Sequence, residues 1–287
     1  MTAYIHTIPY EDEEGMDGLT NDVFSLFSNL IYKYSGIKLN ANKQNLLTSR
    51  LAKRINQLGL RGVYDYYQMV RDSEDERIEM LNRISTNTTK FFRENYHFEY
   101  LKNSVIPKLL KDKTNDRTIR IWSAGCSTGE EPYSIAISVC EVVKRRGWDI
   151  KILATDISTK ALETAKAGIY EMEQIPDDLP TEITAAYFMK GIKENEGRIK
   201  AKDFLKEMIR FRRLNLKDAE YQFSKKFDVI FCRNVMIYFD ENMKRHVMNK
   251  FHTHLTDDGC MFLGHSETVL NKEVFTPVYI TVYRKKM

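Results

Sequence analysis

One stretch and one acid carry the first chemical signal in this chain. Residues 122–134 read WSAGCSTGEEPYS, and Asp156 stands 25 positions after Glu131. A loop bearing Gly125 and Gly129 lets backbone N–H groups come close to a ligand, and an acid at a strand end can bind a ribose diol. The loop has neither G-x-G-x-x-G nor GK[ST], so phosphate cradling is not expected. Further along, Cys232-Arg233-Asn234 offers a cation and an amide at the end of an apolar run. Upstream, Ser85 to Glu94 places hydroxyls, Asn87 and Arg93 in one short segment. Such a segment is either a loop with a helix cap or the lining of a pocket at a domain junction. No G-x-S-x-G occurs, which removes the nucleophile elbow. His252 and His254 point to different helix faces, and His246 and His265 lack a partner in sequence, so no metal is expected.

These groups need elements to position them. Strand 118–122, helix 131–146, strand 150–154 and helix 158–167 alternate. Strand 209–214, strand 227–232, helix 240–255, strand 260–263 and a final strand 278–284 follow. Six strands in this rhythm predict an α/β, doubly wound sheet with ligands at the strands' C-terminal ends. The critical ends are Ser123 to Glu131, Asp156, and Arg233-Asn234. A segment of about 170–208, with Pro176, Pro180, Gly191 and Gly197, breaks the pattern and reads as an inserted antiparallel, hairpin-rich subdomain.

The N-terminal part is different. Residues 1–20 hold five acids and no Lys or Arg, a frayed acidic leader. Residues 21–84 read as an all-α domain, with Phe24, Phe27, Leu30 and Ile31 on one stripe and Leu47, Leu51, Ile55 and Leu58 on another. Residues 85–117 form a linker and connecting helix, and 118–287 the α/β domain. From Val23 to Tyr64 there are seven Lys or Arg and no Asp or Glu. Lys43, Arg50 and Arg54 share one face of the second helix. That face is either simply solvated or a dock for an acidic partner; the missing acids favour the dock. The 43% apolar and 29% charged composition is ordinary for a globular chain, and the net charge of +4 gives no reason to expect nucleic acid. Four cysteines without ligand spacing read as reduced thiols. With no signal peptide or spanning apolar run, the expectation is a soluble, cytoplasmic protein, acting as a monomer.

TNTTKFFRE, WSAGCSTGEEPYS, ATDIS, FDVIFCRNVMIYFD and GHSE, in that order, closely resemble the CheR family of chemotaxis receptor methyltransferases over roughly residues 20–284. Compared with the D-x-G-x-G-x-G of many methyltransferases, Ser123 replaces the leading acid and Ser127 the central Gly; this family tolerates such a loop. The resemblance implies a Rossmann-like methyltransferase sheet and S-adenosylmethionine as methyl donor, leaving S-adenosylhomocysteine. It implies receptor glutamates as acceptors, giving γ-glutamyl methyl esters.

The implied cofactor contacts are Asn87, Thr89, Arg93, Glu131, Asp156, Asn215, Leu216, Arg233 and Asn234, with Glu130 the lesser candidate beside Glu131. Arg93 and Tyr238 would position the acceptor carboxylate. For Asp156 and Asn234 the alternative is a helix cap, and for Tyr238 it is core packing beside Val235, Ile237 and Phe239. Lys43, Arg50 and Arg54 would dock glutamate-rich receptor helices, and the insertion would bind a receptor C-terminal peptide in some members. Two other functions share these features: the same fold methylating a different signalling protein or small acceptor, and a non-catalytic sensor of S-adenosylmethionine.

Overall fold

Four helices open the computed structural model, which describes residues 21–144, 147–270 and 272–286; the acidic leader lies outside them. They are α1 (Asn21–Ser35), α2 (Gln44–Leu58), α3 (Val63–Asp72) and α4 (Glu74–Ile84). Their apolar stripes meet as expected: Phe27, Leu30 and Ile31 pack with Leu47, Leu51, Ile55, Tyr66 and Val70. Gly59, at φ 65°, ends α2 in the left-handed conformation that suits glycine. The Ser73 hydroxyl accepts the Glu76 N–H and starts α4.

After the linker come α5 (Tyr96–Tyr100), a π turn (Leu101–Val105) and α6 (Ile106–Asp112). The strands are β1 (Thr118–Ala124), β2 (Asp149–Asp156), β3 (Ile169–Glu171), β4 (Phe188–Lys190), β5 (Arg198–Ala201), β6 (Ile209–Arg213), β7 (Phe227–Cys232), β8 (Leu255–Leu263), β9 (Phe275–Tyr279) and β10 (Val282–Lys285). Between them lie α7 (Glu130–Val143), α8 (Thr159–Ala167), α9 (Thr181–Tyr187), α10 (Asp203–Met208) and α11 (Glu241–His254). The main sheet is seven-stranded, in the order β6-β2-β1-β7-β8-β10-β9. It is parallel from β6 to β8, with β10 and β9 antiparallel.

Both faces of the sheet are covered, and the period-2 alternation of strand side chains divides them. Ile119, Ile121, Val229, Phe231 and Phe262 join one core, while Trp122, Ala124, Ile230, Cys232, Met261 and Leu263 join the other. The chain order reverses between β1 and β7. In a doubly wound sheet, the ligand crevice lies outside that point.

Three expectations change. The single final strand is a hairpin, β9 and β10, turned at Ile280-Thr281. β9 contains Pro277, and it is an edge strand, where proline's missing N–H is tolerated. Strand 260–263 extends back to Leu255. The insertion is a small sheet, β3-β5-β4, that also carries α9 and α10. These helices span too few turns to show a periodic stripe.

The helical domain sits over the C-terminal edge of the sheet. The Tyr32 hydroxyl donates to Asp240 at 2.7 Å, Ile37 bridges Phe239, and the Asn82 amide donates to the Thr159 hydroxyl at 2.9 Å. Among the described residues, no helix is long and apolar enough to cross a membrane.

Candidate active site

The glycine-bearing loop leaves β1 and turns into α7. Gly125 takes φ 85°, and a Cβ there would lie 2.3 Å from a Val235 methyl, so only glycine fits against the β7 loop. Ser127 also adopts a positive φ, 51°. Its N–H donates to Asp156 Oδ2 at 2.8 Å and its hydroxyl to the Asn87 carbonyl at 2.9 Å. The residue replacing the usual glycine thus ties the loop to both the acid and the linker. Asp156 Oδ1 accepts the Ser158 N–H at 2.9 Å. Burial pushes the Asp156 carboxyl above its ordinary range, with the two serine N–H groups opposing that shift. Helix caps fall elsewhere, at Ser158 for α8 and Asp240 for α11.

Beneath the loop lies a buried ion network. Arg233, at the end of β7, has a side chain only 2% exposed and pairs with Glu94 at 3.1 Å and Glu131 at 3.2 Å. It also donates to the Arg93 carbonyl. The other Glu131 oxygen accepts the Ser123 hydroxyl at 2.7 Å. Ser123, which replaces the usual strand-end acid, thus supports an acid in the first turn of α7. Burial raises the Glu131 carboxyl, and Arg233 and Ser123 offset it only in part. Glu94 is less enclosed; burial penalises its charge too, but there Arg233 wins and its pKa is lowered. Arg93 lies in the turn before α5, with Phe92 and Glu94 on either side at positive φ. Its guanidinium donates to the Thr88 carbonyl at 3.1 Å.

These groups converge on a cavity of about 190 Å3. Asn87, Thr89, Arg93, Glu131, Asp156, Asn215, Leu216, Arg233, Asn234 and Tyr238 all line it. Asn215 holds Tyr34 O through its amide nitrogen at 2.6 Å and Lys217 N through its amide oxygen at 3.0 Å, leaving each end one further hydrogen-bonding position. Glu130 does not line the cavity; its carboxylate accepts from Thr128 and Gln174, tying α7 to the insertion.

Lys43 and Arg50 line a smaller adjoining groove that shares Ile37, Ser85, Thr86 and Tyr238 with the cavity. The Lys43 ammonium sits 5.2 Å from the centre of the Tyr238 ring. Arg54 departs from the expected docking face. Its guanidinium grips Glu76 of α4 at 2.6 and 2.8 Å, and the Tyr66 hydroxyl donates to the same carboxylate at 2.9 Å. The acid that balances the basic segment comes from outside it, beyond the reach of a local charge count.

Sequence reasoning gave no role to Glu94 or Glu267. Both lie inside the quoted motifs TNTTKFFRE and GHSE, which was the available signal, but neither sits at a predicted strand end.

The donor set fits S-adenosylmethionine. Asp156 faces a diol's requirement for acceptors, and Ile157, Leu214 and Leu216 supply apolar wall for a base. Arg233 Nε is buried with no acceptor among the described residues, leaving a donor for a carboxylate. Among the described residues no group of His, Cys, Asp and Glu could hold a metal ion.

A doubly wound sheet with this cavity at its switch point fits the class of S-adenosylmethionine-dependent methyltransferases. Residues 87–284 match the family described as CheR methyltransferase, SAM binding domain, and residues 22–85 match CheR methyltransferase, all-alpha domain. A chemotaxis protein methyltransferase of Borreliella burgdorferi is 40% identical over 93% of this chain and 95% of its own. A probable chemotaxis protein methyltransferase of Rhizobium etli is 41% identical over 89% and 96%, and the Escherichia coli chemotaxis protein methyltransferase 36% over 89% and 87%. The chain belongs to the CheR methyltransferase family.

Proposed function

We propose that this enzyme transfers the methyl group of S-adenosylmethionine to glutamate side chains of chemoreceptors, forming glutamate methyl esters. One observation carries the choice of acceptor. The cavity lining contains cations (Lys90, Arg93 and Arg233) and two acids, Glu131 and Asp156, each already held by internal hydrogen bonds. Neither acid is disposed as a general base, and no His or Cys lines the cavity. An amine or alcohol acceptor needs a base, whereas glutamate, with a pKa of about 4.3, is already a nucleophile at neutral pH.

Bound S-adenosylmethionine supplies an activated methyl on a sulfonium. Asp156 would hold its ribose, Leu216 and Asn215 its base, and Arg233, Asn87 and Thr89 its amino-acid end. Arg93 and Tyr238 would hold the incoming carboxylate in line, and the α1–α4 domain would keep water from solvating it. A tight ion pair would blunt the nucleophile, so the function of Arg93 is positioning. Lys43 and Arg50, next to Tyr238, would draw in a glutamate-bearing receptor helix. The edge strand β4 supports a further contact: Met189 is 42% and Ile192 72% exposed, and an extended receptor peptide could add there as a strand.

Transfer from methyl-labelled donor to purified receptor is the test. Alkali-labile label on receptor is expected. Alkali-stable label would point to another acceptor, and donor binding without transfer would point to a sensor.

A further inference from the structure

We infer that Glu267 is a positioning residue for the methyl-transfer site, acting as an anionic staple that shapes the loop after β7. The inference rests on the methyltransferase reading above, because that loop carries Arg233, Asn234 and Tyr238. Glu267 lies beyond the end of β8 and is 7% exposed. One carboxylate oxygen accepts the N–H of Asn234 at 2.8 Å and of Gly264 at 2.7 Å; the other accepts the N–H of Met236 at 2.7 Å. No cation pairs with it among the ion pairs of the described residues.

Three short, charge-assisted bonds from a backbone are strong and directional. Their arrangement explains the loop's shape. Asn234 is held at φ 58°, a conformation costly for most non-glycine residues, and the chain then enters the Met236–Tyr238 3-10 turn. That path places Asn234, Val235, Ile237 and Tyr238 on the cavity wall. Gly264 completes the fit, since a Cβ there would lie 2.7 Å from the Asn234 amide nitrogen and 2.8 Å from Glu267 Oε2. The staple therefore joins the ends of β7 and β8 beneath the cavity. Glu267 itself does not line it.

Glu267→Gln is the informative change. It keeps the side chain's shape, but an amide has one acceptor oxygen, so its NH2 must face at least one backbone N–H and the turn must open. Turnover at saturating donor and receptor should fall by about tenfold or more per folded molecule. Affinity for S-adenosylhomocysteine, measured by calorimetry without catalysis, should weaken several-fold. Gly264→Ala pushes on the same contact with the carboxylate intact and should give the same pattern. A purely structural role would lower the thermal midpoint while leaving turnover and affinity of the folded fraction within about twofold; that result in both variants overturns the inference. Failure of the wild-type chain to bind S-adenosylhomocysteine would overturn the methyltransferase reading and this inference with it.

Discussion

Single side chains at strand ends gave away most of the cavity in the sequence. Asp156, Arg233 and Asn234 directly end or follow apolar runs, so their position followed from the fold's rule for ligand sites. Glu94 and Glu267 did not, because their importance lies in partners far along the chain. Arg93→Ala removes one bond to a backbone carbonyl, worth about 1 kcal/mol of stability, yet turnover should fall by about a hundredfold as the acceptor loses its orientation. Parallel kinetics and urea unfolding check this; near-normal turnover would remove Arg93 from the site. Arg233→Met leaves Glu94 and Glu131 buried without their cation, and unfolding should become easier by about 3–5 kcal/mol. The two carboxyls' folded pKa values should then lie above their unfolded values, so the loss should be greater at pH 8 than at pH 5; an equal loss at both contradicts the network. His97 is buried against that network, and burial, reinforced by Arg233, depresses its pKa to about 4. Between pH 6.5 and about 4 the unfolded chain binds a proton that the folded chain refuses, so stability falls as pH falls. The expected loss from pH 7 to 5 is about 2 kcal/mol. His97→Gln should flatten that slope in urea titrations; an unchanged slope would assign it to other groups.

Elements were legible wherever their apolar period was long. The stripes on α1 and α2, and the run of β7, apolar but for Asp228, announced themselves, while α9, α10 and the β9–β10 hairpin were too short or interrupted by Pro277. The helix face on α2 was half legible. Arg50 of α2 and Lys43, which lies in the 3-10 turn before α2 and not on the helix as expected, do border the groove beside Tyr238, but Arg54 binds Glu76, which a helical wheel of α2 alone cannot contain. Lys43→Glu should therefore reduce kcat/KM for receptor by about tenfold at low salt, with the deficit shrinking as salt screens the field. Affinity for S-adenosylhomocysteine should stay unchanged. A salt-independent deficit, or lost cofactor affinity, would mean that Lys43 acts through the fold instead. Reversal of Arg50 is a less clean test, because its guanidinium also holds the Ile84 and Ser85 carbonyls at the start of the linker.

At the scale of the whole molecule, one cavity is built from parts far apart in sequence. The linker, the β1 loop, the ends of β2, β6 and β7, and residues flanking α1 all reach it. The sheet supplies one side of the cavity, and the helical domain brings positive charge to the rim. Their closeness was not legible, since nothing in a local pattern tells that Tyr238 would stand between Lys43 and the cavity. This shared space would join the donor to a carboxylate acceptor. Site-resolved mass spectrometry of receptor, after incubation with enzyme and S-adenosylmethionine, tests it most directly. Methyl esters are expected on glutamate side chains, absent when those glutamates are replaced by alanine and released by mild alkali. Methylation on lysine, arginine or a chain terminus, with glutamates unmodified, would contradict it.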